Sequence, residues 1–182
     1  FDEGTDVVLP FNVVCGRCYT CRDGNSHMCE NVRHYGFDDA VQPGAFGTHV
    51  VVPNADFNLV EMPAGTEHRE MAALGCRFVT SYHAMADRAG IEAGDWVAVH
   101  GTGGIGLSAV DVASALGANV VAVDLDDEKL RMARDLGAVE TVNAADVDDV
   151  PGEIQEVTNG GAHVSVDGLG IRETLLNSIE SV

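Results

Sequence analysis

Trp96-Val97-Ala98-Val99-His100-Gly101-Thr102-Gly103-Gly104-Ile105-Gly106 is the stretch on which the reading of this chain turns. Its opening apolar run has the length and composition of a strand buried on both faces. The glycines that follow form a turn, and Ile105, Ala109, Val112, Ala113 and Leu116 then recur on one face of a helix. The order is strand, turn, helix.

Gly101, Gly103 and Gly106 match G-x-G-x-x-G. A match in isolation is weak, but between a buried strand and an amphipathic helix each glycine has a physical task. The first makes the tight turn, the second lets a pyrophosphate approach the backbone, and the third lets helix pack closely on strand. The helix N-terminus adds unpaired N–H groups and the positive end of its dipole. Asp124 ends the next apolar run, Asn119 to Val123, at about the 20-residue spacing of an acid that holds the ribose hydroxyls of a dinucleotide. A carboxylate there repels a 2′-phosphate, so NAD is expected rather than NADP. Lys129 follows at a distance from which its ammonium would reach the same ribose or remain solvated on a helix.

Working outward, Gly117 ends the first helix, and Leu130, Ala133 and Leu136 mark a second helix stopped by Gly137. Val139 to Val142 and His163 to Val166 add two strands. Alternation of strands and helices at this length predicts a parallel, doubly wound sheet with right-handed crossovers, an α/β architecture. Upstream the texture differs. Residues 7 to 60 carry short apolar runs, Val50-Val51-Val52 and Asn58-Leu59-Val60 among them, and read as a mostly β region with long loops. From Thr66, Met71, Ala72, Leu74, Ala84, Met85 and Ala89 fall on helical spacings broken around Gly75, predicting two helical pieces between two domains, residues 1–77 and 78–182.

Ten basic residues against 29 acidic ones give a formal charge of −19. That field repels phosphate backbones and anionic lipid, which argues against a nucleic-acid or membrane partner. No run approaches the roughly 20 apolar residues of a membrane-spanning helix. Lys129 is the only lysine and the acids are scattered, as expected of a halophile's cytoplasm, where a carboxylate surface stays solvated in concentrated salt; an acidic mesophilic protein is the alternative. Phe1 and the residues after it have neither the basic flank nor the apolar run of a secretory signal, and the start reads as internal to a longer protein.

Cys15-Gly16-Arg17-Cys18-Tyr19-Thr20-Cys21, followed by Cys29, places four thiols in one short loop. Four thiolates close a tetrahedron around zinc and leave no position for water, which makes such a site structural. Gly16 and Gly24 would let the backbone turn tightly around the metal. A pair of disulfides is the competing reading, disfavoured where thiols stay reduced. A nucleic-acid-binding zinc ribbon is opposed by the charge. His27 lies in the same loop as a possible substitute ligand or a surface histidine. The other histidines, His34, His49, His68, His83, His100 and His163, form no metal-ligand spacing.

The fifth cysteine stands in Leu74-Gly75-Cys76-Arg77-Phe78-Val79-Thr80. Taken alone it would be a small buried apolar residue. The order of cysteine lobe, Gly-Cys-Arg-Phe-x-Thr segment, glycine turn and ribose acid, however, resembles the zinc-dependent alcohol dehydrogenases of the medium-chain dehydrogenase family, over essentially the whole chain. The resemblance implies a partial GroES-like catalytic domain followed by a partial Rossmann domain. It implies that Cys15, Cys18, Cys21 and Cys29 hold a structural zinc, that Cys76 is the last protein ligand of a catalytic zinc, and that Thr80 lies against the nicotinamide. Gly101, Gly103, Gly104, Ile105, Gly106, Asp124 and Lys129 would bind the cofactor.

The implied reaction is hydride transfer between a primary or secondary alcohol and NAD in a homo-oligomer, dimer or tetramer. Cys76, where polyol dehydrogenases tend to carry glutamate, leans toward simple alcohols. Polyol, threonine and formaldehyde dehydrogenases of the same family are rivals, as is a non-catalytic NAD-binding protein that kept the zinc lobe. The family's other catalytic zinc ligands, a cysteine and a histidine followed by glutamate, would lie upstream of Phe1. The chain by itself is therefore expected to hold one zinc and to turn over no alcohol.

Overall fold

A computed structural model describes residues 1–37 and 44–182. They form two compact units, Phe1–Cys76 and Arg77–Val182.

The first unit is loops held by two small antiparallel ladders. β1 (Val7–Val8) pairs with β4 (Val60–Glu61), and β2 (Asn12–Val13) pairs with β3 (Arg33–His34). Between them lie one-turn helices α1 (Tyr19–Arg22), α2 (Ala55–Asn58) and, after β4, α3 (His68–Met71). The run Val50-Val51-Val52 is not the strand its composition predicts. Val51 is 82% exposed, and its carbonyl accepts a hydrogen bond from the Tyr35 hydroxyl at 2.8 Å. β-Branched residues favour a pleated neighbour, and among the described residues this run has none. The run at residues 58–60 is split likewise: Asn58 closes α2, and pairing begins only at Val60.

Asn58 has a task that periodicity does not reveal. Buried at 4% exposure, its Oδ1 accepts from the Val14 N–H at 2.8 Å, and its Nδ2 donates to the Val14 carbonyl at 3.0 Å. The amide satisfies both backbone groups as a neighbouring strand would, and so fixes the chain where the cysteine loop begins.

The predicted break near Gly75 falls just before it. α3 ends at Met71, and wide π-type turns run through Leu74–Phe78, then α4 (Val79–Tyr82) and further wide turns over His83–Ala89. Gly75 stays inside the helical segment because a Cβ there would stand 2.5 Å from the Leu9 carbonyl oxygen. Its glycine permits a close approach of backbones rather than a stop.

The second unit is the parallel α/β sheet that the alternation of elements predicts. β5 (Trp96–His100), β6 (Asn119–Asp124), β7 (Glu140–Asn143) and β8 (Val164–Asp167) lie in the order β7-β6-β5-β8, every pair parallel. α5 (Gly104–Ala115), α6 (Asp127–Asp135), α7 (Val150–Thr158) and α8 (Arg172–Glu180) alternate with the strands. The two-residue period of a strand sorts the core into two faces. Val97, Val99, Val120 and Ala122 pack with Ala109, Val110 and Ala113 of α5, whereas Ala98, Val121, Val123 and Val142 pack with Val150 and Ile154 of α7. Both faces are covered, so the sheet is doubly wound. The strand order reverses direction at β5, and the crevice beyond the carboxyl ends of β5 and β8 is where such sheets bind ligands.

His100 closes β5 at 1% exposure. Its Nε2 lies 3.3 Å from the Ser181 hydroxyl, and its Nδ1 has no hydrogen-bond partner among the described residues. Burial pushes the imidazole down from 6.5 to about 4, against the opposing pull of Asp167. The folded state thus holds this histidine neutral while the unfolded chain protonates it below its ordinary value, so stability falls as pH drops from 6.5 toward 4. Acidification from about pH 7 to pH 5 is expected to remove about 2 kcal/mol through this group. His100→Leu should lose that increment of acid sensitivity, read as the difference between the two proteins' denaturation curves at the two pH values.

Candidate functional site: a four-thiol cluster and a glycine-rich crevice

The thiol sulfurs of Cys15, Cys18, Cys21 and Cys29 all lie within 4.8 Å of one another, the only such group of potential metal ligands among the described residues. Cys18 and Cys29 Sγ are 3.9 Å apart. Four sulfurs at about 2.3 Å from a zinc ion stand about 3.8 Å apart at the edges of the tetrahedron, so the cluster has the dimensions zinc requires. All five cysteines are free thiols.

Local backbone produces the cluster. Gly16 and Gly24 take positive φ, +67° and +83°, and α1 and the short turn Ser26–Met28 bring Cys21 and Cys29 inward, where both are buried. The Cys15 and Asn31 N–H groups each donate to Cys29 Sγ at 3.3 Å, and the Cys18 N–H donates to Cys15 Sγ at 3.4 Å. Such donors stabilise thiolates and orient them, as the outer shell of a metal site does. The Thr20 hydroxyl beside it, with the Cys21 and Glu30 N–H groups, pulls the Cys18 thiol down to about 6, while burial pushes Cys21 up to about 12. Asn31 is a contributor that spacing alone did not mark. His27 is exposed and stands outside the sulfur cluster.

Cys76 is exposed within the wide turn Leu74–Phe78 and belongs to no ligand cluster among the described residues. Thr80 is exposed on α4, whose neighbouring Ser81 donates its hydroxyl to the Ile105 carbonyl at 2.8 Å and so ties that helix to the glycine-rich turn.

Each glycine of that turn has a distinct environment. Gly101 has φ +85° and donates its N–H to the Val123 carbonyl at 2.7 Å, which bends the chain off β5. A Cβ on Gly103 would meet nothing within 4 Å, leaving open space in front of the α5 N-terminus. A Cβ on Gly106 would overlap the Gly101 carbonyl oxygen, so only glycine lets α5 approach the turn this closely.

Asp124 closes the site from the end of β6. Its Oδ2 accepts from the Thr102 N–H at 2.7 Å and from the Thr102 hydroxyl at 2.9 Å. Its Oδ1 accepts from the Leu125 and Asp126 N–H groups and lies 3.5 Å from Lys129 Nζ. Burial alone would raise this carboxyl, but the hydrogen bonds from Thr102 and Asp126 and the charge of Lys129 outweigh it and hold the group below the usual carboxylate range. Asp124 therefore braces the turn, and Thr102, fully buried, is the partner that sequence reasoning missed. His100, Gly101, Asp124, Lys129, Leu169 and Thr174 help line a cavity of about 290 Å³ at this end of the sheet. Its walls offer an apolar slot beside a carboxylate and an ammonium, suited to a flat ring carrying hydroxyls.

Asp124→Asn would turn an amide N–H toward donors that now face oxygen. The expected cost is about 1–3 kcal/mol of folding free energy in chemical denaturation, together with a weaker preference for NAD over NADP in direct titration.

Comparison with known proteins places both parts of this arrangement. Residues 1–64 match the alcohol dehydrogenase GroES-like domain family, and residues 104–182 match the zinc-binding dehydrogenase family. An alcohol dehydrogenase of Geobacillus stearothermophilus is 39% identical over 152 residues, 84% of this chain and 43% of that protein. One from Moraxella sp. (strain TAE123) is 38% identical over 149 residues, 82% of this chain and 42% of that protein. Among solved structures, an alcohol dehydrogenase from Thermus sp. ATN1 superposes with a TM-score of 0.90 at 32% identity, covering 100% of this chain and 54% of that one. An NAD-dependent alcohol dehydrogenase gives 0.89 at 33% identity, with 100% and 52% covered. The chain spans about half the length of the relatives it matches.

Proposed function

This chain belongs to the zinc-dependent medium-chain alcohol dehydrogenases, and from that premise we propose that its protein transfers a hydride between a primary or secondary alcohol and NAD, giving an aldehyde or ketone. The observation that carries the proposal is the conjunction, in one chain, of a four-sulfur cluster of zinc dimensions and a glycine-rich turn braced by Asp124 at the carboxyl end of a doubly wound sheet. We take residues 1–77 as the catalytic-domain portion and residues 78–182 as the NAD-binding domain.

In this reading Cys15, Cys18, Cys21 and Cys29 hold a structural zinc, whose closed sulfur shell stabilises the loop and takes no part in the reaction. Cys76, exposed and free, contributes one thiolate to the catalytic zinc. When bound, zinc supplies Lewis acidity that lowers the alcohol's pKa, and NAD supplies the hydride acceptor. The chain's own residues supply position. Gly101, Gly103, Gly104, Ile105 and Gly106 present the α5 N-terminus to the pyrophosphate. Asp124 and Lys129 hold the adenosine ribose, and Thr80 orients the nicotinamide. The carboxylate at Asp124 disfavours a 2′-phosphate by charge repulsion, which supports NAD as the cofactor.

A cytoplasmic, salt-rich setting and an oligomeric assembly complete the proposal. The first rests on the 29 acidic residues and on thiols arranged for metal rather than for disulfides. With that charge, nucleic acid and anionic membranes are poor partners.

The test is NADH formation by the protein at the full length of its relatives, of which this chain spans about half, with a panel of primary alcohols, secondary alcohols, polyols, threonine and formaldehyde. Turnover of simple alcohols that disappears in Cys76→Ala supports the proposal. Preference for one of the other substrates assigns a sister activity, and NAD binding without turnover of any of them leaves a non-catalytic NAD-binding protein.

A further inference from the structure

Gly104 is not one of the glycines that G-x-G-x-x-G requires; it occupies a free position of the motif. The structure gives it a separate reason to be glycine. A Cβ there would stand 2.5 Å from Cδ of Arg77, 2.9 Å from its Nε and 3.3 Å from its Cζ. The arginine's stem and guanidinium therefore lie directly over the first residue of α5.

Helix electrostatics oppose that placement. The N-terminus of α5 is the positive end of the helix dipole, with N–H groups that have no carbonyl partner, and a cation belongs at the other end. Arg77 is exposed, and its guanidinium forms no hydrogen bond or ion pair with any described residue, in a chain whose 29 carboxylates outnumber its ten basic side chains. A scarce cation held at the wrong end of a helix, with no carboxylate beside it, is balanced if an anion sits between guanidinium and helix. Beside it, the space in front of Gly103 is open.

We propose that Arg77 is a further cofactor-binding residue, clamping the diphosphate of the dinucleotide from the side opposite the α5 N–H groups through its planar, bidentate guanidinium. The inference rests on the NAD reading above. It assigns Gly104 to keeping the arginine seated, since any larger residue there would displace it.

The experiment is calorimetric titration of the purified protein with NAD, ADP-ribose and adenosine, in wild type, Arg77→Gln, Arg77→Lys and Gly104→Ala. Losing a charge-assisted hydrogen-bonded pair should weaken NAD and ADP-ribose about ten- to hundredfold, with adenosine, which lacks phosphate, binding as before. Arg77→Lys should recover part of the loss, and Gly104→Ala should copy Arg77→Gln although the arginine is present. Unchanged NAD affinity in Arg77→Gln would overturn the inference and leave the NAD reading standing, as would an equal loss for adenosine, which marks a structural role. Wild-type protein that binds neither NAD nor ADP-ribose would overturn both.

Discussion

Treating the purified protein with a strong chelator under reducing conditions is expected to unfold the loop that carries Cys15, Cys18, Cys21 and Cys29. The buried core there consists of Val14, Cys21 and Cys29, with Cys15, Cys18 and Val32 packed around it. Its regular structure is limited to the four residues Tyr19–Arg22 and the three residues Ser26–Met28. So few apolar contacts cannot offset the conformational entropy of the loop, and small lobes of this kind depend on a metal for their fold. Cys21→Ala should lower the zinc content by one ion per chain and cost about 4–5 kcal/mol or more of the first unit's stability, since loss of a structural metal stands among the largest single-site effects. Elemental analysis and chemical denaturation check both. If reductant alone unfolded the lobe and chelator did nothing, the thiols would be disulfide partners in the native protein.

The second large effect is expected at Gly106. Its missing Cβ leaves room for the Gly101 carbonyl, and the Val99 side chain lies 3.4 Å from the same point. The obstacle is backbone rather than a flexible side chain, so Gly106→Val must push α5 off β5. About 3 kcal/mol or more of destabilisation is expected, at the upper end for an overpacked site, with NAD affinity lost alongside. Gly103→Ala supplies the contrast. Its Cβ would enter open space, and its φ of −77° is ordinary for alanine. Stability should hold within about 1 kcal/mol, while NAD affinity falls at least about tenfold because the methyl group occupies the approach to the backbone. Denaturation curves and NAD titrations on the two variants therefore separate the glycine that builds the turn from the glycine that receives the ligand.

Gly101 and Gly106 also show what a sequence can carry. The strand before them is buried on both faces, so it appears as an unbroken apolar run, and the turn's φ and packing demands admit only glycine at Gly101 and Gly106. Backbone constraints of that kind are written one residue at a time. The four cysteines are legible for the same reason, because close spacing along the chain guarantees closeness in space.

Long-range pairings leave no such trace. Asn58 serves as strand partner to Val14 across 44 residues, Thr102 fastens Asp124 across 22, and Arg77 rests on Gly104 from a separate helical segment. Nothing in the type or spacing of those residues announces the contact. Val50-Val51-Val52 is the converse case, a run with strand composition and, among the described residues, no strand to join. α7 lies between these extremes. Asp149 caps it by accepting from the Gly152 N–H, Pro151 opens it, and Asn159 closes it at φ +57°. Those start and stop signals stand in the sequence, but the apolar spacing between them is too sparse for periodicity to find the helix.

The proposed direct transfer of a hydride from the alcohol carbon to NAD is read most closely by isotope transfer. The protein at the full length of its relatives, of which this chain spans about half, would be loaded with zinc and incubated with NAD and with ethanol or 2-propanol deuterated on the carbinol carbon, and the reduced nicotinamide examined by mass spectrometry. The wild-type protein should form NADH that carries the deuterium, and Cys76→Ala should form none. NADH without deuterium, or no NADH from either alcohol, would contradict the proposed transfer.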